Sequence, residues 1–182
     1  MIRMTLHTKD IERAIGNFNK AKPAAISRSL NRAATSARAF MAREVSKDMK
    51  LKVGTVKERI EIRKANARSL NAELSASMKR IPLIDFGAKG PKPSRGRGRG
   101  VTARTQTRRY PHAFITTVGS GRHEGVFQRK TVKRSPIAEL FGPSIGFIFG
   151  KHLPAGMKKA ETELIKNLEH EISRALRMSA TP

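Results

Sequence analysis

Apolar residues between positions 23 and 49 recur every three or four residues, the spacing of one face of an α-helix. The stripe covers about 100° of a helical wheel, and its members are Ile26, Leu30, Ala33, Ala37, Phe40 and Met41. Pro23 suits a first helical position because its fixed φ already matches the helix. The pattern predicts one long helix over about 23–49, and a shorter one before it at about 9–19.

The apolar period then changes from the helical value to two. Thr55 and Glu58 have the spacing of a capping box, which predicts a brief helical turn starting at Thr55. Alternating apolar and polar residues typical of half-buried strands follow at Ile60 to Ile62, Leu70 to Met78, Val101 to Thr105, Phe114 to Val118 and Val126 to Gln128. Turns are predicted at 66–69 and 119–121, and an irregular connection at 136–143.

A second helical stripe closes the chain and predicts a helix over about 154–178. Its apolar members are Met157, Ala160, Leu164, Ile165, Leu168, Ile172 and Leu176. The order helix, about five strands, helix is typical of an α+β fold. We therefore predict a single domain over 1–182, with the two long helices packed on an antiparallel sheet of about five strands at about 59–129.

The segment from Gly87 to Gly100 interrupts the predicted sheet. Seven of its fourteen residues are Gly or Pro, and Arg95, Arg97 and Arg99 alternate with glycines. Such a composition offers nothing to bury and favours a flexible arm. The fold is therefore expected to carry a basic Gly/Arg-rich arm at 87–100.

Charge is the most unusual feature of the composition. The 182 residues carry a net charge of +24, of which residues 1–80 contribute +12, residues 81–150 contribute +10 and residues 151–182 only +2. An excess of this size repels itself in an isolated globule and indicates a polyanion or an acidic protein as partner. Flexible arginines can follow a phosphate backbone without reading its sequence. The candidate contacts to DNA or to a partner are Arg28, Arg32, Arg43, Arg95, Arg97, Arg99, Arg104, Arg108 and Arg109.

The residues that catalysis or metal binding would need are sparse. The chain has no Cys, its five His do not share a metal-ligand spacing, and the acids form no suggestive pair. We therefore expect no enzyme, catalytic residue, metal, cofactor or small-molecule substrate. The sequence also lacks an apolar run of about 18 residues and a signal-peptide core, which predicts no membrane contact and assembly in a cytoplasm.

Four short motifs resemble the phage minor tail protein Z family. They are Ser29 to Arg38 (SLNRAATSAR), Ile81 to Gly87 (IPLIDFG), Gly125 to Arg129 (GVFQR) and Pro136 to Ser144 (PIAELFGPS). Their order and spacing match the family from about residue 24 to the C-terminal helix. The resemblance covers most of the chain, although its Arg-Gly arm is richer than the family pattern.

This resemblance implies a structural virion protein, a minor tail or tail-completion protein at the head-proximal end of the tail. Its partners would be further copies of itself in a ring, commonly of six subunits, and neighbouring tail and neck proteins. Genome DNA in the channel of the ring would be a further partner. The family brings no catalytic residues with it.

Three other classes share parts of the pattern. A cellular protein that binds nucleic acid independently of sequence, for example ribosomal RNA, would share the charge and the arm. An enzyme acting on a polyanion would need clustered acids or a metal site. Another phage neck component, an adaptor or a tail terminator, is poorly separated from a tail-completion protein by sequence alone.

Overall fold

The computed structural model describes residues 2–7, 23–91, 100–103, 106–131, 133 and 135–179. Three α-helices lie in these ranges: α1 is Pro23–Met49, α2 is Val53–Glu58 and α3 is Ile145–Ser179. The bounds predicted for α1 are confirmed. The helix predicted at 9–19 falls outside the described residues.

Two predictions about helix starts are wrong. Helix α2 begins at Val53 and not at Thr55, and its N-cap residue Lys52 makes no side-chain cap hydrogen bond, so no capping box forms. Helix α3 begins nine residues before Pro154, which lies inside it. Proline inside a helix costs about 3 kcal/mol, but Ile145 and Phe149 are fully buried in the added segment 145–153. Burial of these two side chains offsets the proline penalty.

Ten short strands are present in the described ranges. They are β1 Ile2–His7, β2 Ile60–Arg63, β3 Asn71–Ala76, β4 Arg80–Pro82, β5 Val101–Ala103, β6 Gln106–Tyr110, β7 Ala113–Val118, β8 His123–Arg129, β9 Ile137–Glu139 and β10 Phe141–Ser144. A 3-10 turn, Leu83–Phe86, follows β4. Five of the strands, β2, β3, β5, β7 and β8, were predicted.

The strands form four small antiparallel sheets, so the predicted single sheet of about five strands is wrong. Their orders are β1-β3-β2, β10-β4, β5-β6 and β7-β8-β9. The α+β class and the antiparallel pairing are confirmed. Strand β9 and strand β10 occupy the connection predicted to be irregular, because β9 pairs with β8 and β10 with β4. The alternation within each strand could not reveal which strands become neighbours.

The base of the predicted arm is tied to the sheets. Lys89 and Thr102 exchange two backbone hydrogen bonds of 2.8 and 2.9 Å, and Ile115 N donates to the Pro91 carbonyl. Gly90 has no room for a Cβ, which would meet the Val101 side chain at 2.5 Å. The prediction that the arm begins at Gly87 is therefore wrong, because the chain is bonded to neighbouring strands up to Pro91; residues 92–99 lie outside the described residues.

One hydrophobic cluster joins the helices to the strands. Helix α1 and helix α3 approach closely because small residues line the contact: Ala33, Ala34 and Ala37 are fully buried, and a Cβ at Gly156 would meet Met41 Sδ. Both helices also contact β3. The predicted α1 stripe is confirmed as core or partly buried. The α3 stripe is confirmed only in part, since Ala160, Leu164 and Leu168 are buried whereas Met157 and Ile165 are exposed. No helix in the described ranges is long and apolar enough to cross a membrane.

Candidate functional site

Two of the candidate arginines on α1 meet a buried acid of α3. Arg28 Nη2 lies 2.6 Å from Glu171 Oε2, and Arg32 Nη1 lies 3.1 Å from Glu171 Oε1. The side chain of Glu171 is 1% exposed, whereas Arg28 and Arg32 keep 49% and 47% of theirs exposed. The two arginines are four residues apart and so share a helix face. This cluster joins the N-terminal half of α1 to the C-terminal half of α3.

The electrostatics of the cluster favour its charged form. The hydrogen bond from Arg28 lowers the pKa of Glu171, followed by the charges of Arg28, Arg32 and Arg174, and burial opposes the shift. The same hydrogen bond raises the pKa of Arg28. Hydrogen bonds to an ionised group are about twice as strong as neutral ones. A buried carboxylate is therefore kept ionised by two cations whose outer faces remain in solvent.

The sequence analysis missed Glu171, although a signal for it was present. Glu171 lies seven residues after Leu164 and three after Leu168, so it falls on the apolar stripe of α3. An acid on a buried stripe indicates a paired cation, because an unpaired buried carboxylate is strongly destabilising. Arg28 and Arg32 therefore help to hold the fold, in addition to any partner they contact.

The other candidate arginines are distributed over several elements. Arg43 lies 11 residues after Arg32 on α1, on nearly the same face; it is exposed, and its Nε donates to the Ala39 carbonyl. Arg109 lies on β6 opposite Thr102, which pairs in turn with Lys89 at the base of the arm, and all three are exposed.

The side chains of five candidates in and after the arm are not placed by the structure. Arg108 lies in β6, but its side chain is not described. The remaining four lie outside the described ranges: Arg95, Arg97, Arg99 and Arg104. The structure therefore brings together Arg28 and Arg32, and it leaves Arg43 and Arg109 on separate elements.

A second charged cluster joins the end of α1 to the start of α3. Asp48 Oδ2 accepts a hydrogen bond of 3.1 Å from Lys151 Nζ and lies 2.9 Å from His152 Nε2. The contact with His152, then that with Lys151, lowers the pKa of Asp48. The two long helices are thus joined by ion pairs near both ends of their contact.

Histidine and acid residues also meet between β8 and β9, where His123 Nε2 lies 2.8 Å from Glu139 Oε1. The described residues contain no group of three or more side chains of the types that hold a metal ion. Both this pair and the Asp48 cluster therefore connect neighbouring elements by polar contacts and supply too few ligands for a metal centre.

Residues of the four family motifs stabilise the interior of the protein. In the first motif, Asn31 exchanges two hydrogen bonds with the Ala65 peptide, at 2.8 and 2.9 Å, and so fixes the loop after β2 on α1. The second and fourth motifs meet each other. Leu83 N donates to the Leu140 carbonyl, and a Cβ at Gly142 would overlap the Phe86 ring.

The third motif, on β8, pairs with the fourth. Phe127 lies opposite Glu139, and Leu140 N donates to the Val126 carbonyl at 2.8 Å. Three segments separated along the chain therefore share one set of contacts. The motifs maintain the fold.

These features define a small, basic α+β protein with structural motifs inside and surplus positive charge outside. The chain belongs to the family described as Prophage minor tail protein Z (GPZ), which it matches over residues 8–181. It is also 28% identical over 184 residues to the tail completion protein of Escherichia phage N15, covering 95% of this chain and 98% of that protein. No solved structure matches the chain. The family predicted from the four motifs is confirmed, and the chain is a minor tail protein of a phage.

Proposed function

We propose that this chain completes the phage tail at its head-proximal end, where several copies form a ring around the DNA channel and support joining of head and tail. The observation that carries the proposal is the similarity to a tail completion protein along nearly the whole of both chains. Similarity of that extent spans the core, the four motifs and both long helices, so the two proteins are expected to share one fold.

The charge distribution supports a position between acidic neighbours. A net charge of +24 on 182 residues is unfavourable for close packing of identical copies unless anions lie between or beside them. DNA in a channel and acidic faces of adjoining virion proteins both supply such anions. The net charge of +24 already counts Glu171 among the acids, so the ion pairs of Arg28 and Arg32 with Glu171 do not reduce this excess.

Particles that lack this gene product, with and without complementation, test the proposal. We expect tails of normal length that fail to join heads productively, and a ring of density at the head-proximal tail end that is restored by the wild-type gene. Normal joining without the gene product, or isolated copies scattered along the tail, would contradict it.

The contribution of DNA can be tested separately from the ring. A triple exchange to Gln removes three charges of the arm without touching an apolar stripe, at Arg95, Arg97 and Arg99. If these arginines contact phosphates, DNA affinity falls equally for all sequences, and the slope of log affinity against log salt decreases by up to about 2.7. Equal slopes for the variant and the wild type would exclude phosphate contacts by these three residues. That result would not affect the proposal that the chain forms a ring.

A further inference from the structure

Six large apolar side chains of the described residues are exposed, and two of them, Met78 and Phe147, lie where the residues before β4 meet the first turn of α3. Met78 precedes β4, Phe141 begins β10, and Phe147 lies in the first turn of α3. The pairing of β10 with β4 sets Phe141 opposite Pro82 and Ser144 opposite Arg80. Scattered exposed apolar residues are ordinary, but a group of them at one place indicates a contact surface.

Met78 lies directly over the first turn of α3. A Cβ at Gly146 would overlap Met78 Sδ, and Phe147 is the next residue along the helix. Met78 is 50% exposed and Phe147 is 77% exposed. Beside Met78 an open cleft of about 530 Å³ is lined by Glu61 and by residues 75–79. We call Met78, Lys79, Arg80 and Phe147, together with this cleft, the Met78–Phe147 surface.

The charges around this surface are mainly positive. Lys79 and Arg80 follow Met78 and are exposed, while Glu61 lines the cleft as the acid of this group. Lys151 follows Phe147 by one helical turn, and Asp48 already pairs with it and with His152. An apolar centre with a cationic rim is complementary to an apolar side chain flanked by acids.

The positive charge of the Met78–Phe147 surface also distinguishes between the molecules that could bind to it. A second copy belongs to the same chain with a net charge of +24, so most of the faces it could present are basic, and this surface itself would set Lys79 and Arg80 against the same cations. Duplex DNA supplies anions, but its bases are stacked inside, so it offers nothing apolar to cover Phe147 and Met78. An acidic protein segment with an apolar anchor satisfies both parts of the surface.

We propose that the Met78–Phe147 surface docks an acidic segment of a different tail or neck protein, with an apolar side chain of that segment against Phe147 and Met78. The inference rests on the proposed function, because it assumes incorporation of the chain into the particle. It adds the site of contact and the chemistry of the partner.

Site-specific cross-linking in the assembled particle tests this assignment. Benzoylphenylalanine replaces Phe147 in one sample and Ile165 in a control, since Ile165 is an exposed apolar residue elsewhere on α3. After irradiation, the cross-linked peptides are identified by mass spectrometry. We expect position 147 to yield an acidic segment of another virion protein, at least about tenfold more often than position 165 does.

The remaining outcomes each overturn the inference. A cross-link from position 147 to a second copy of this chain or to DNA, or equal yields at both positions, refutes the assigned partner while the chain remains a virion component. Absence of the chain from purified particles refutes the proposed function, and the docking inference falls with it.

Substitutions supply a second measurement that does not depend on cross-linking chemistry. Phe147→Ser and Lys79→Glu should each lower incorporation into particles, about tenfold or more for Phe147→Ser because it removes an aromatic anchor. The matched controls are Ile165→Ser and Lys158→Glu, which make the same changes at exposed positions of α3 outside the surface. Unchanged unfolding temperatures show that the variants fold. Incorporation equal to that of the controls would refute the inference.

Discussion

Replacing Glu171 with Gln removes a carboxylate that is 1% exposed and keeps a side chain of nearly the same shape. In the native structure this carboxylate lies 2.6 Å from Arg28 and 3.1 Å from Arg32. A hydrogen bond to a charged group contributes about 1.5–3 kcal/mol, and solvent screening of the half-exposed arginines favours the lower end. We therefore expect the free energy of unfolding at pH 7 to fall by about 1.5 kcal/mol.

That loss should be visible in thermal unfolding. For a chain of this size, 1 kcal/mol shifts the unfolding midpoint by about 2–4 °C, so the variant should melt about 3–6 °C lower than the wild type. Glu169→Gln is the matched control, because Glu169 lies on the same helix and is exposed. Its midpoint should move by less than about 2 °C, since surface substitutions rarely exceed 0.5 kcal/mol.

The difference between wild type and Glu171→Gln should also depend on pH. Hydrogen bonding to Arg28 lowers the folded pKa of Glu171 below its unfolded value, which is about 4.3. The ionised carboxylate therefore stabilises the fold fully above the unfolded pKa, and this stabilisation is lost as pH falls through the lower folded pKa. The two midpoints should converge on acidification below about pH 4. A gap that stayed constant with pH, or a control that melted as early as Glu171→Gln, would refute the role of this ion pair.

Three further substitutions test the core and the backbone. Leu168→Asp should lower the free energy of unfolding by about 3 kcal/mol or more, because it buries an unpaired charge. The control Ile165→Asp changes an exposed position three residues earlier and should leave the free energy of unfolding nearly unchanged in denaturant titrations. Gly100→Ala should destabilise the protein in the same assay, because Gly100 has φ +76° and an added Cβ would meet a backbone oxygen at 2.5 Å. The control Gly54→Ala has open space around the added Cβ and should be neutral or slightly stabilising. Asn31→Ala should lower the free energy of unfolding by about 1–3 kcal/mol by leaving a buried peptide without its partner, and equal stability of variant and wild type would contradict that role.

Local periodicity determined the parts of the fold that depend on neighbours in sequence. The spacing of Leu30, Ala33 and Ala37 predicted helix α1 with its bounds, and alternation located strands such as β3 and β7. The turn predicted at 66–69 is confirmed, because Asn66 accepts hydrogen bonds from Arg68 N and Ser69 N. The four motifs determined the family, which the comparison over residues 8–181 confirms.

Tertiary contacts decided what no local pattern contains. Strand β9 and strand β10 exist because distant strands supply their hydrogen-bond partners, and burial of Phe149 extends α3 backwards past Pro154. The pairing of Glu171 with Arg28 joins positions 143 residues apart, so only the packing of α3 on α1 could reveal it. The same packing leaves Phe147 exposed beside Met78. Sequence thus determined helix α1, half of the described strands and the family. The meeting of remote side chains determined the charged clusters and the docking surface, because each depends on which helix faces are covered.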